Sequence, residues 1–255
     1  MEVFLNPDAW IALLTLTFLE IVLGIDNIIF ISIATGKLPE EKRKRATKIG
    51  MFLAMFMRIA LLFGINLLIQ MKEPWFHIDF SWFSAGVTGQ SVILLLGGLF
   101  LIYKSTNEIR EKVDERGEEE KEIKEAATRS FQNVILQIIM IDIVFSFDSI
   151  LTAVGMTNGV EGALYIMITA VVISVFIMMQ FAVPVGTFVN KHPSIQILGL
   201  AFLILIGMML LTESAHLSDA LIFGNHVTPL PKGYLYFAIT FSLVVEMINM
   251  KIKKK

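Results

Sequence analysis

Glu20-Ile-Val-Leu-Gly-Ile-Asp26-Asn27-Ile28 and Asp142-Ile-Val-Phe-Ser-Phe-Asp148-Ser149-Ile150 repeat one pattern: acid, Ile-Val, apolar, small, apolar, Asp, small polar, Ile. Each copy lies in a long apolar run, and seven such runs can be counted, over roughly 9–34, 47–69, 89–104, 132–155, 161–184, 193–211 and 233–250, the third being the shortest. Runs of about 20 apolar residues match a hydrocarbon core about 30 Å thick, so each is expected to cross a membrane as a helix. Three spans separate the start of one copy from the start of the other, so the copies cross in opposite directions. The expected fold is an all-α integral membrane protein: seven transmembrane helices, six of them a three-plus-three inverted repeat. On this reading residues 1–104 form the first three-helix repeat, 105–131 a charged cytoplasmic loop, and 132–211 the second repeat. Residues 212–255 supply an outer loop, the seventh helix and a basic tail.

Composition agrees. Of 255 residues, 55% are hydrophobic and 17% charged, and the mean hydropathy is +0.71, well outside the range of soluble domains. The chain has no cysteine, which excludes disulfides, thiolate metal sites and cysteine nucleophiles together. Its net charge of −2 gives no support to nucleic-acid binding. MEVFLNPDAW (1–10) has no basic residue ahead of its apolar run, and the run is too long for a signal-peptide core, so the segment is expected to be retained.

Lys and Arg placement sets the orientation. Lys37, Lys42, Arg43, Lys44, Arg45 and Lys48 lie between the first and second spans, and seven more basic residues lie between the third and fourth. With Lys191 and the tail MKIKKK, 18 of the 21 basic residues fall on one side. The amino terminus is expected outside and the carboxyl terminus in the cytoplasm, in a multi-pass protein of the plasma (inner) membrane. Trp75 and Trp82 fall in the second–third loop, where interfacial aromatics belong. Pro184 and Pro193 are expected to bracket the fifth–sixth turn, and TNEIREKVDERGEEEKEIKEAATRS (106–130) reads as a solvated helix or linker.

A charge at mid-bilayer costs ~2.5–3.5 kcal/mol on insertion scales, so four carboxylates could cost on the order of 10 kcal/mol. Protons, Arg58 on the second span, or a bound cation could offset that. Arg58 alone cannot balance four acids, whereas a divalent ion balances two charges and gives the acids a reason to converge. The candidate ligands are Glu20, Asp26, Asn27, Asp142, Asp148 and Ser149. Such oxygens suit Mn²⁺, Mg²⁺ or Ca²⁺ rather than Zn²⁺ or Cu⁺. Met140 and Met156 lie near enough to offer a thioether, although packing is the commoner task of methionine. Arg58 reads either as a counter-ion that takes the site when metal leaves or as a residue snorkelling at a helix end. The acids of each copy are six residues apart, about 120° around a regular helix, so breaks or kinks are expected at 23–27 and 145–149, centred on Gly24 and Ser146. Glu213 and His216, at the end of the sixth span, and Glu246, late in the seventh, are candidate gate or proton-path residues, with interfacial solvation as the alternative.

The sequence resembles the TerC family of integral membrane proteins, within the broader LysE-like exporters. The resemblance rests on LEIVLGIDNIIFIS (19–32), IDIVFSFDSILTAVGM (141–156) and PKGYLYFAITFSLVVEMIN (231–249), and covers nearly the whole chain. The stretch LIFGNHVT (221–228) is longer than the family leads one to expect. The family is associated with manganese efflux and, historically, with tellurite resistance. The resemblance therefore implies a metal-ion exporter here, with Glu20, Asp26, Asn27, Asp142, Asp148 and Ser149 as its site.

The expected activity is export of a divalent cation, manganese first and Ca²⁺ or Mg²⁺ next, with no organic cofactor and no enzymatic reaction. Exporting two charges against an inside-negative potential costs about 4.6 kcal/mol per 100 mV. No nucleotide-binding motif is present to drive it, so a proton gradient is the expected source, with alternating access by rocking of inverted halves. A metal sensor or scaffold is the alternative. An intramembrane aspartyl protease with an Asp26–Asp148 dyad is disfavoured because neither copy carries a Gly-x-Gly-Asp run, and a retinal protein because 233–250 contains no lysine.

Overall fold

The computed structural model describes residues 6–114, 131–157 and 159–253, with the backbone alone at Asp26, Asn66 and Lys253. The helices are α1 (Pro7–Gly36), α2 (Glu40–Phe63), the short α3 (Ile65–Gln70), α4 (Gly89–Asp114), α5 (Phe131–Met156), α6 (Ala163–Lys191), α7 (Pro193–Leu217) and α8 (Lys232–Lys253). All but α3 are long and apolar enough to span a membrane, which makes seven spans among the described residues. The strands are β1 (Pro74–Phe80), β2 (Phe83–Thr88), β3 (Leu221–Ile222) and β4 (Asn225–His226).

Local chemistry sets the boundaries. Asn6 caps α1 by accepting from the Asp8 N–H at 3.0 Å, and Pro7, with no N–H to lose, opens the helix. Pro39 disfavours helical geometry at Leu38 and separates α1 from α2. At the start of α4 the caps are reciprocal: the Ser91 N–H donates to Thr88 Oγ1 at 3.0 Å and the Thr88 N–H to Ser91 Oγ at 3.1 Å.

The chain forms two compact units. The first holds α1, α2, α5 and α6, the helices that carry the two repeated motifs and the span after each. In it α1 lies along α6, with Gly24 at Met178, Ser32 at Gly186 and Gly36 at Asn190, so the two helices run parallel. α2 runs parallel to α5, with Gly50 against Ile138 and Arg58 bonded to Ser146. α1 and α5 are antiparallel: Asn27 meets Asp142, whereas Ala12 shares a cavity with Thr157.

The second unit holds α4, α7, α8 and the sheet. α4 and α7 are antiparallel and cross where two glycines meet, since a Cβ on Gly98 would stand 2.7 Å from the Gly207 carbonyl oxygen. The Ser214 hydroxyl donates to the Ser91 carbonyl at 2.6 Å. The strands form one antiparallel sheet in the order β1-β2-β3-β4. Phe223 (φ 49°) and Gly224 (φ 78°) form the two-residue turn between β3 and β4, the positive pair of a type I′ hairpin.

Three expectations need correction. Both motif helices run without interruption through 23–27 and 145–149, because Gly24 is used for close packing against the Met178 side chain and Ser146 for hydrogen bonding. Pro184 does not flank a turn but lies inside α6, which continues to Lys191, whereas Pro193 opens α7 as expected. The second–third and sixth–seventh connections are not plain loops: strands within 74–88 and 221–226 pair, and LIFGNHVT supplies the β3–β4 hairpin. The third helix also outlasts its apolar run, since α4 carries on through 105–114 at the start of the charged segment, of which 115–130 lie outside the described residues.

Candidate ion site

Within the first unit, α2 carries Arg58 between the acids that open the two repeated motifs. Arg58 is 3% exposed, Glu20 3% and Asp142 5%, so all three charged side chains are withdrawn from solvent together. Arg58 Nη1 donates to Glu20 Oε2, and Nη2 donates to Asp142 Oδ1 at 2.9 Å. Its Nε donates to Ser146 Oγ at 3.0 Å, and Ser146 Oγ donates in turn to Asp142 Oδ2 at 3.0 Å. Asn27 Nδ2 donates to Asp142 Oδ1 at 3.4 Å. A guanidinium suits this place because its planar fork reaches two carboxylates at once, where an ammonium would act as a point charge.

The elements explain the convergence. Ser146 follows Asp142 by four residues, one turn along the same face of α5, so its hydroxyl reaches the carboxylate directly. Asn27 follows Glu20 by seven, nearly two full turns, and shares its face of α1. Counted as ionised, two carboxylates against one guanidinium leave one negative charge in excess, and Asn27 Oδ1, also buried, has no hydrogen-bond partner among the described residues. The cluster is therefore rich in oxygen and short of positive charge.

The expected residues divide as follows. Glu20, Asn27 and Asp142 come together, and Arg58 stands among them, ion-paired with both acids. Ser149 is buried on the same face of α5, its hydroxyl donating to the Ser146 carbonyl at 3.2 Å. Asp148 is half-buried, on a face of α5 turned away from that of Asp142 by their six-residue spacing. The Asp26 side chain lies outside the described residues. Among the described residues no three His, Asp or Glu side chains gather as a ready-made metal cluster. Glu213 and Glu246 are half-buried and His216 is exposed, all three in the second unit.

Two polar residues were not anticipated as members of buried contacts. Ser146 bridges Arg58 and Asp142, which its place four residues after an acid could have signalled. Glu108, 1% exposed in α4, pairs with Lys104 at 3.0 Å, and that Lys-Glu spacing at the end of an apolar run was the available signal.

Seven apolar helices, with an ionic cluster buried between three of them, define a multi-pass integral membrane protein. The chain belongs to the integral membrane protein TerC family, whose model matches residues 5–255. It is 47% identical over 250 residues to the UPF0053 inner membrane protein YgdQ of Escherichia coli, covering 98% of this chain and 96% of that one. A UPF0053 protein of Haemophilus influenzae is 45% identical over 249 residues, with 98% and 96% coverage. The UPF0053 inner membrane protein YoaE of Escherichia coli is 42% identical over 250 residues, 98% of this chain but 44% of the longer relative. No solved structure matches the chain. Helices and relatives together place it in the inner membrane.

Proposed function

We propose that this protein exports a divalent cation, manganese first, with Glu20, Asp142 and Asn27 as the core of the ion site and Arg58 as the tethered cation that holds it between ions. One observation carries the reading: a single guanidinium bridges the equivalent acids of the two motifs, one positive group against two carboxyls, beside a buried amide oxygen unpartnered among the described residues. A divalent ion would supply the missing charge, and carboxylate and amide oxygens are ligands that suit Mn²⁺, Mg²⁺ and Ca²⁺. Manganese is put first because it is the substrate associated with the family. Ser149, on the same face of α5 as Asp142, joins the proposed ligand set, and Asp26 and Asp148, each six residues after a bridged acid and about 120° round the helix from it, are proposed as acids on the ion's path rather than as ligands of the same bound ion.

The directions of the helices support the inverted repeat. Antiparallel α1 and α5, and parallel pairing of α1 with α6 and of α2 with α5, are what exchanging the two copies would preserve. The basic loops then face the cytoplasm. In this scheme the metal enters from the cytoplasm, Arg58 gives up the acids to it, and protons from outside displace it. The proton gradient opposes the cost of about 4.6 kcal/mol per 100 mV for two charges.

The test is Mn²⁺ flux in sealed vesicles holding the purified protein, with and without a pH gradient. Wild type is expected to carry Mn²⁺ faster with the gradient, and Asp142→Asn, Asp26→Asn and Asp148→Asn to carry little. Flux in Asp142→Asn equal to wild type would remove the paired-acid site, and wild-type flux indifferent to the gradient would remove proton exchange.

A further inference from the structure

A cavity of about 240 Å³ opens between the first turns of α1 and the end of α5. Its walls include Asp8, Ala12, Thr15 and the almost wholly buried Leu16 from α1, and Met156 and Thr157 from the end of α5. Two stripes of side chains lead from it to the ion site. On α1, Ala12, Leu16, Glu20 and Asn27 follow one another at spacings of four, four and seven, which keeps them on one face. Along α5, from Thr157 just past its end, come Ala153, Ser149, Ser146 and Asp142, all small or polar and likewise on one face.

The antiparallel register puts Ala12 level with Thr157 and Asn27 with Asp142, so Leu16 falls level with Ala153. Leu16 is 1% exposed and Ala153 5%. Of the α1 residues on the stripe, Leu16 alone stands between the cavity and Glu20, one turn from the acid. At ~30 Å³ per water the cavity has room for about eight waters, enough for a divalent ion with six. An apolar side chain closing such a passage excludes water and so stops a hydrated ion.

We infer that this cavity is the aqueous vestibule through which the ion site communicates with the side of the membrane carrying the amino terminus, and that Leu16 is its plug. The inference rests on the exporter reading for the identity of the ion, and on geometry for the passage.

The cysteine-free chain makes the test direct. Single cysteines are placed by Ala12→Cys and Ala153→Cys, and purified full-length protein in vesicles is treated with a membrane-impermeant, positively charged methanethiosulfonate from either side. Ala12→Cys is expected to react only from the amino-terminal side. Ala153→Cys is expected to react slowly, and on the order of tenfold faster once Leu16→Ala is added, since thiol modification follows access. Leu16→Met, which conserves volume, should leave it slow, and Leu16→Val serves with an intermediate rate where Leu16→Ala does not insert. An unreactive Ala12→Cys, or an Ala153→Cys rate indifferent to truncation at Leu16, overturns the vestibule. Mn²⁺ flux that survives full modification of Ala12→Cys overturns its place on the ion path. Absence of Mn²⁺ flux in unmodified wild type overturns the exporter reading instead, while the thiol rates still judge the passage.

Discussion

Arg58 donates to Asp142 across 2.9 Å, and the two side chains are only 4% and 6% exposed, so α2 and α5 are joined by a salt bridge shielded from solvent. A pair so enclosed has no hydration to fall back on. Removing Arg58 strands Asp142 and Glu20 together, whereas removing Asp142 leaves Arg58 its pair with Glu20.

Arg58→Gln is therefore expected to destabilise the protein by about 3–5 kcal/mol, the usual cost of leaving a buried charge unpaired. Thermal unfolding in detergent, followed by tryptophan emission, measures it. Neutralising the acids as well, with Glu20→Gln and Asp142→Asn in the Arg58→Gln background, should return much of the loss. A triple variant no better than Arg58→Gln alone would show that shape at this position, rather than charge, sets the stability.

Mn²⁺ should raise the melting temperature of wild type, because a ligand bound only by the folded state adds about 2.7 kcal/mol at a hundredfold excess over its Kd. Asp142→Asn should lose the shift. An equal shift in that variant would place the bound metal elsewhere on the protein.

Gly24 brings α1 against α6, since any Cβ there runs into the Met178 thioether. Gly24→Ala is expected to cost about 1–3 kcal/mol by overpacking. Adding Met178→Ala should relieve the clash and make the pair non-additive. Unfolding midpoints of the two single variants and the double variant decide it, and strict additivity would mean that the side chains do not meet.

In the second unit, Gly207→Val should be severe. Its Cβ would stand 2.7 Å from Ile102 Cγ1 and 2.9 Å from the Gly98 carbonyl oxygen, and backbone cannot step aside as a flexible side chain can. Loss of folded protein on size-exclusion chromatography is the expected outcome, and a monodisperse variant with wild-type melting would contradict the close crossing.

Much of this is legible in residue order. The apolar runs mark the spanning helices because hydrocarbon thickness dictates their length, and of the six residues that the paired motifs single out, Glu20 and Asp142 are bridged by Arg58 and Asn27 bonds Asp142, while Asp148 points to another face of α5. Other features are hidden. Spacing alone cannot tell whether a glycine loosens a helix or admits a neighbour, so Gly24 reads as a break when it is a seat for Met178. Nor does local pattern report partners far apart in the chain: Phe83 pairs with Ile222, and neither neighbourhood alternates long enough to announce a strand.

Gly24 and Ser146 hold the same place in the two motifs, yet one receives a thioether from α6 and the other a guanidinium from α2. A transporter with identical halves would rest equally well facing either compartment. With an ionic clasp contributed by only one of the two motif-following helices, the outward and inward postures of the proposed exporter would differ in energy, and its idle stance would be set by a single pair of unequal neighbours.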